Sequence, residues 1–228
     1  MKIKTTDIPE VIRVILKDGH TFKVRPIGPD DKEKLRIFFY RLSPQSRYFR
    51  FGYTKEHISE QELDHFTELH PPDTYAYVGL SGEREAESIR AVGRWFLEPD
   101  KKSAEIAFAV EDNIQAQGIG TALLEKIAEA AARYKINKFV AHVLPENTRM
   151  LSLFEESGFL LSKRINEGRY EIIFDLEEQE EFSKRQERRE HIARSAGMRR
   201  VVYPKSVVVV GASRDPESIG GKVFRNLL

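Results

Sequence analysis

Gln115-Ala116-Gln117-Gly118-Ile119-Gly120-Thr121 is the stretch on which the fold of this chain turns. Before it, Ala104 to Val110 alternates. Ala104, Ile106, Phe108 and Val110 fall on one face and Glu105, Ala107 and Ala109 on the other, the period of a strand. After it, Ile119, Leu123, Ile127 and Ala131 recur every fourth residue, which is the apolar stripe of a helix from about Gly118 to Tyr134. A strand therefore passes into a helix through Gln-x-x-Gly-x-Gly. The start of a helix carries unpaired backbone N–H groups and the positive end of the helix dipole. A pyrophosphate needs both. Gly118 can take a positive φ, and Gly120 lets a phosphate approach the backbone. By spacing alone, the turn is equally a plain strand-to-helix connection.

Working outward, two apolar runs, Val11 to Leu16 and Thr21 to Val24, flank Asp18-Gly19, a hairpin signal. Asp30-Asp31 is placed to cap a helix through Tyr40, and Ser43-Pro44-Gln45-Ser46 is read as its break. Residues 41–51, which mix arginines with aromatics, are expected to form a packed loop beside the functional site. Ser59-Glu60-Gln61-Glu62 has capping-box spacing and predicts a second short helix through Leu69, stopped by Pro71-Pro72. Strands are expected over Thr74 to Leu80, Ile89 to Leu97 and Phe139 to Val143. A helix over Asn147 to Ser157 stops at Gly158, and a closing hairpin runs from Phe159 to Leu176.

Composition narrows the function classes. The 228 residues suffice for one domain and an appendage. A net charge of +1, from 37 basic and 36 acidic residues, gives no global reason to expect nucleic acid or an anionic membrane as partner. The chain has no cysteine, which removes disulfides, thiolate metal sites and a cysteine nucleophile. The spacing of His57, His65 and His70 does not put three imidazoles on one helical face, so no metal is expected. The N-terminus lacks a signal-peptide core and no window is apolar enough to span a bilayer. A cytoplasmic protein is the expectation.

Two blocks, in order, carry a family resemblance. Gln115-x-x-Gly118-x-Gly120-Thr121 resembles the Arg/Gln-x-x-Gly-x-Gly/Ala signature of the GNAT superfamily of N-acetyltransferases. Asn147, Leu151, Phe154, Gly158 and Phe159 resemble that superfamily's downstream block. The resemblance covers roughly residues 20 to 176. It implies an α/β (α+β) fold, a mixed and mostly antiparallel sheet flanked by helices. In it the strand at Ala104–Val110 splays from that at Phe139–Val143, and pantetheine enters the gap. It further implies acetyl-CoA as co-substrate, held by the backbone of Phe108 and Val110 and by the turn Gln115, Gln117, Gly118, Ile119, Gly120 and Thr121. Asn147 either contacts the pantetheine amides or caps its helix.

Moving an acetyl group onto an amine requires the neutral amine, and a lysine amine has a pKa near 10.4, so a base helps at neutral pH. By composition Glu105 is an ordinary residue of a half-exposed strand. By resemblance it is the general base, with Ala107 and Ala109 leaving room for the acceptor. The family's usual thiolate-protonating Tyr is here Phe154, which has no proton to give. Tyr170 and Tyr48 are candidate substitutes.

Beyond the GNAT-like domain (residues 1–176) the composition shifts. Residues 177–204, dominated by Glu, Gln, Lys and Arg, read as a charged helical linker. Residues 205–228 contain Val207-Val208-Val209-Val210-Gly211-Ala212-Ser213 and then a helix start near Ile219. They resemble the first βα unit of the Rossmann-like CoA-binding domain of NDP-forming acyl-CoA synthetases. One such unit cannot bury a core, so a larger second domain is expected. Together the two resemblances point to bacterial protein lysine acetyltransferases fused to a synthetase-like domain. They imply a protein lysine acceptor, an acyl-CoA synthetase among the candidates. A small-molecule amine acetyltransferase and a non-catalytic acyl-CoA sensor are the alternatives.

Overall fold

The computed structural model describes residues 11–16, 19–82, 86–177, 180–203, 206, 211, 215 and 217–226. The chain opens with β1 (Ile12–Ile15) and β2 (Thr21–Pro26), paired antiparallel. Gly19, at φ 82, turns between them; Asp18, the other half of the expected turn, lies outside the described residues.

Three short helices follow: α1 (Lys32–Arg41), α2 (Pro44–Phe51) and α3 (Glu60–Thr67). The capping box before α3 forms as spaced. Ser59 Oγ accepts from the Glu62 amide at 3.2 Å, and Glu62 Oε2 accepts from the Ser59 amide at 2.9 Å. The stretch 43–46 does not merely break α1. Ser43 Oγ accepts from the Ser46 amide at 3.1 Å with Pro44 in the first turn, so the break is also a start, and residues 44–51 are helix rather than loop.

The remaining elements of the sheet domain are β3 (Thr74–Ser81), β4 (Ser88–Leu97), β5 (Ser103–Val110), α4 (Ile119–Arg133), β6 (Lys138–Val143), α5 (Thr148–Glu155), β7 (Leu160–Asn166) and β8 (Arg169–Asp175). The strands form one sheet in the order β1-β2-β3-β4-β5-β6-β8-β7. Every neighbouring pair is antiparallel except β5 with β6. This is the mixed, mostly antiparallel sheet flanked by helices that the resemblance implies.

Two apolar layers hold it. On one face the stripe of α4 (Leu123, Leu124, Ile127) packs with Trp95, Phe108, Phe139 and Phe154. On the other, Leu35 and Phe38 of α1 and Leu63 of α3 cover Val78, Ile89 and Val92. Full burial of such side chains contributes about 1.5–3 kcal/mol each, which is what seats short helices of weak intrinsic stability.

The parallel pair is brief. Only Ser103↔Lys138, Ala104↔Phe139 and Glu105↔Val140 are in register, whereas β4 follows β5 as far as Val110. From Ile106 onward, the β6-facing edge of β5 has no strand partner among the described residues. The two strands part at Glu105.

Beyond β8, α6 (Glu180–Val202) occupies most of the segment read as a charged linker. It touches the domain on one side: Phe182 is buried with its ring stacked on Phe159 at 4.0 Å, and Arg189 Nε donates to Glu125 at 2.8 Å. A last helix, α7, spans Ile219–Arg225. Val207–Val210, the core of the expected βα unit, lies outside the described residues.

Candidate active site

At the wide end of the gap stands the start of α4. Gly118 is its N-cap at φ 90, a conformation that a side chain would strain, and Ala116 two residues earlier also has a positive φ of 62. The first bond of the α4 ladder runs from the Ala122 amide to the Gly118 carbonyl at 3.0 Å, so the amides of Ile119, Gly120 and Thr121 precede it. The side chains of Ile119 and Phe108 are buried in the core. Gly120 is buried too, and a Cβ there would lie 2.6 Å from Leu153 Cδ1 of α5. Its lack of a side chain therefore lets α4 and α5 approach each other. Gln117 is exposed beside them.

Gln115 has a different part from the amides that follow it. Its Nε2 donates to the Val110 carbonyl at 2.9 Å and to Ser46 Oγ at 3.3 Å, while its Oε1 accepts from Arg149 at 2.5 Å. One side chain thus joins the end of β5, α2 and the first turn of α5. Asn147 caps α5, its Oδ1 accepting from the Met150 amide at 3.3 Å. Of the two roles open to Asn147 from the sequence, capping is the one seen here.

Glu105 is half-buried at the branch point, on the face opposite Phe108. Phe154 is deep in the other layer, edge-on to Phe174 at 4.8 Å and to Phe108 at 6.2 Å. Tyr170 lies opposite Val143, with Lys163 Nζ over its ring at 3.9 Å, and Tyr48 is exposed on α2.

Above Glu105 lies α2, fastened at both ends. Asp112, just before the glycine turn, accepts from Ser43 Oγ at 2.7 Å, Ser46 Oγ at 2.8 Å and the Ser43 amide at 3.0 Å. Burial would raise the Asp112 carboxyl, but these bonds outweigh it and hold it below its usual range. At the other end, Arg169 of β8 donates to the Gly52 carbonyl at 3.3 Å. This arrangement brings Arg50 to the face of Glu105, where Arg94 of β4 is also buried. The sequence reading did not single out either arginine. The available signal was an arginine between Gly93 and Trp95, in the middle of a strand buried on both faces. Among the described residues no group of three or more His, Cys, Asp or Glu side chains is arranged to hold a metal ion. No helix among them is long and apolar enough to cross a membrane.

A sheet that opens beside a glycine-started helix is the architecture that the family resemblance implies, and comparison with known proteins agrees. The model of the acetyltransferase (GNAT) family matches residues 39–159, and the chain belongs to that family. It is 30% identical over 148 residues to acetyltransferase PA5475 of Pseudomonas aeruginosa, covering 64% of this chain and 78% of that protein. Acetyltransferase Pat of Mycolicibacterium smegmatis is 27% identical over 148 residues, covering 64% of this chain and 44% of that one, so the chain matches less than half of that relative. Among solved structures, the GNAT domain of S. lividans PAT superposes with a TM-score of 0.66 at 31% identity, covering 72% of this chain and 96% of that domain.

Proposed function

We propose that the chain moves an acetyl group from acetyl-CoA to a primary amine, in the first place the side chain of a protein lysine. The observation that carries this reading is the parting of β5 from β6 at Glu105, with the open start of α4 at the wide end. The gap exposes the backbone of Ile106 to Val110 along one edge, and an extended chain of amides such as pantetheine pairs with an edge of that kind. Phe108 and Val110 offer the backbone groups for this. The amides from Gln117 to Thr121 receive the pyrophosphate, and Asn147 stands by the pantetheine arm. Gln115 holds the turn against β5, and Asn147 also fixes the start of α5.

Glu105 sits where the strands divide, so its carboxylate reaches the attacking amine from the face of the sheet opposite Phe108. It takes the proton directly or through one water. Phe154 offers no proton to the departing thiolate; with a free thiol pKa near 8.5, that group leaves without obligatory acid help. Relatives named Pat and PAT support a protein acceptor, and a cytoplasmic site of action fits that reading.

The test is an acceptor screen with acetyl-CoA and release of the CoA thiol as readout, run on lysine peptides, intact proteins including acyl-CoA synthetases, and small amines. Turnover confined to small amines would replace the protein acceptor. Acetyl-CoA binding without turnover on any amine would make the domain a sensor.

A further inference from the structure

We propose that Arg94 and Arg50 form a carboxylate-binding subsite beside Glu105, which selects acceptors carrying an acidic group next to the amine. The proposal rests on the acetyl-transfer reading and names the acceptor chemistry. In the β4–β5 register Phe96 is opposite Glu105 and Arg94 opposite Ala107, so Arg94 and Glu105 share a face of the sheet. Arg94 is only 5% exposed. Among the described residues its guanidinium makes one hydrogen bond, a long one of 3.4 Å to the Phe66 carbonyl, and it lies over the Phe66 ring at 4.4 Å. Arg50 comes down from α2, half-buried, over the Phe51 ring at 5.0 Å. Among the described residues, neither guanidinium has a carboxylate within 4.0 Å.

A buried and a half-buried cation on one face are unfavourable without an anion. Burial pushes Arg94 down to about 9, with Arg50 adding repulsion. Burial also brings Arg50 to about 10, against the opposing pull of Glu105. Both arginines line a cavity of about 30 Å³ bounded by Phe39, Phe66, Val92 and Ala109 among others, and among the described residues they are its only polar lining. That volume takes about two water-sized groups, enough for the two oxygens of a carboxylate. The planar fork of an arginine matches a carboxylate, and two forks complete its lone pairs. An apolar occupant would leave Arg94 uncompensated and Arg50 with only the pull of Glu105, and a cation would be repelled. Alternate residues on one face of a strand are spaced by about 7 Å. An anion seated between Arg94 and Ala109 therefore belongs to the residue of the reacting amine or to its neighbour.

The experiment uses the full chain, acetyl-CoA and two blocked peptides that differ only in Glu or Gln beside the lysine. Wild type is expected to favour the Glu peptide by about tenfold or more in kcat/KM, through KM, and Arg94→Met and Arg50→Met bring that ratio towards one. An anchoring role alone for Arg94 would slow both peptides equally in Arg94→Met and leave the ratio in place, which overturns the proposal, as does a wild type with no preference. Arg50→Met, at the less buried position, decides the matter if Arg94→Met does not fold. Calorimetric titration of both peptides onto the protein saturated with coenzyme A reads the same preference without turnover, and equal affinities overturn it. Absence of thiol release from either peptide therefore counts against acetyl transfer to lysine, while calorimetry still decides the subsite. Succinyl-CoA against acetyl-CoA is the final arm. A succinyl preference abolished by Arg94→Met, without Glu/Gln discrimination, overturns the acceptor assignment and puts the carboxylate on the acyl group.

Discussion

Changing Glu105 to Gln isolates proton removal from binding, because the amide keeps the shape of the half-buried side chain at the branch point. A lysine amine with a pKa near 10.4 is neutral in about one molecule per thousand at pH 7.4. A base that removes the proton at the site is therefore worth up to about 10³ in rate, roughly 4 kcal/mol, within the usual span for general bases. The penalty has a signature. Each unit of rising pH supplies tenfold more neutral amine, so the deficit of Glu105→Gln shrinks from about 10³ at pH 7.4 to about tenfold at pH 9.4. Acetyl-CoA affinity, which the proposed site assigns to backbone groups elsewhere, is expected to stay near wild type. The chain contains no cysteine, so a thiol reagent reports released CoA with no background from the protein. A deficit that stays constant across pH, or wild-type turnover at pH 7.4, would refute the assignment of Glu105 as the base.

Gly118→Ala places a Cβ on a residue at φ 90, a cost of about 1–2 kcal/mol where the helix begins; acetyl-CoA binding by calorimetry weakens about tenfold while the circular dichroism of the sheet persists. Asp31, buried and bonded to Arg25 at 2.6 and 2.7 Å, would be raised by burial, but the Arg25 and Gly28 hydrogen bonds outweigh this and lower it. Its contribution is present above the unfolded carboxyl pKa of about 3.9 and is lost as pH falls through the lower folded value. Asp31→Asn thus costs about 1–3 kcal/mol at pH 7 in urea unfolding, since Arg25 keeps Glu87 at 3.5 Å, and removes part of the acid sensitivity. Phe182→Ala, emptying the stack on Phe159, lowers stability by about 3–5 kcal/mol, whereas removing residues 204–228 leaves both stability and acetyl-CoA affinity in place.

The sheet was legible because its strands alternate and its glycine turns punctuate them; β5 and α4 follow from period 2 and period 3.6 on either side of Gly118. The α3 start was legible because a capping box is local chemistry. The nature of α2 was not, since Ser43-Pro44 stops one helix and starts another, and only the Asp112 bonds from across the fold say which end matters. Three-residue parallel pairing is a property of two strands packed against different partners, which no single segment encodes. Family resemblance supplied the splay, and local pattern could not have. The burial of Arg94 depends on α3 laying Phe66 over it, a long-range event that the alternation of β4 alone does not reveal.

The two fastenings of α2 join residues distant along the chain, 69 apart from Ser43 to Asp112 and 117 apart from Gly52 to Arg169. Contacts of such separation carry a high loop-closure cost and gain their energy only once the intervening structure exists. Arg169 reaches Gly52 only after β8 has paired with β6. The roof over Glu105 thus depends on structure assembled elsewhere, and its opening is expected to need less than global unfolding. Under mild denaturant, catalytic competence is lost at a lower concentration than the sheet, so activity and the far-ultraviolet signal of the strands trace two separate transitions.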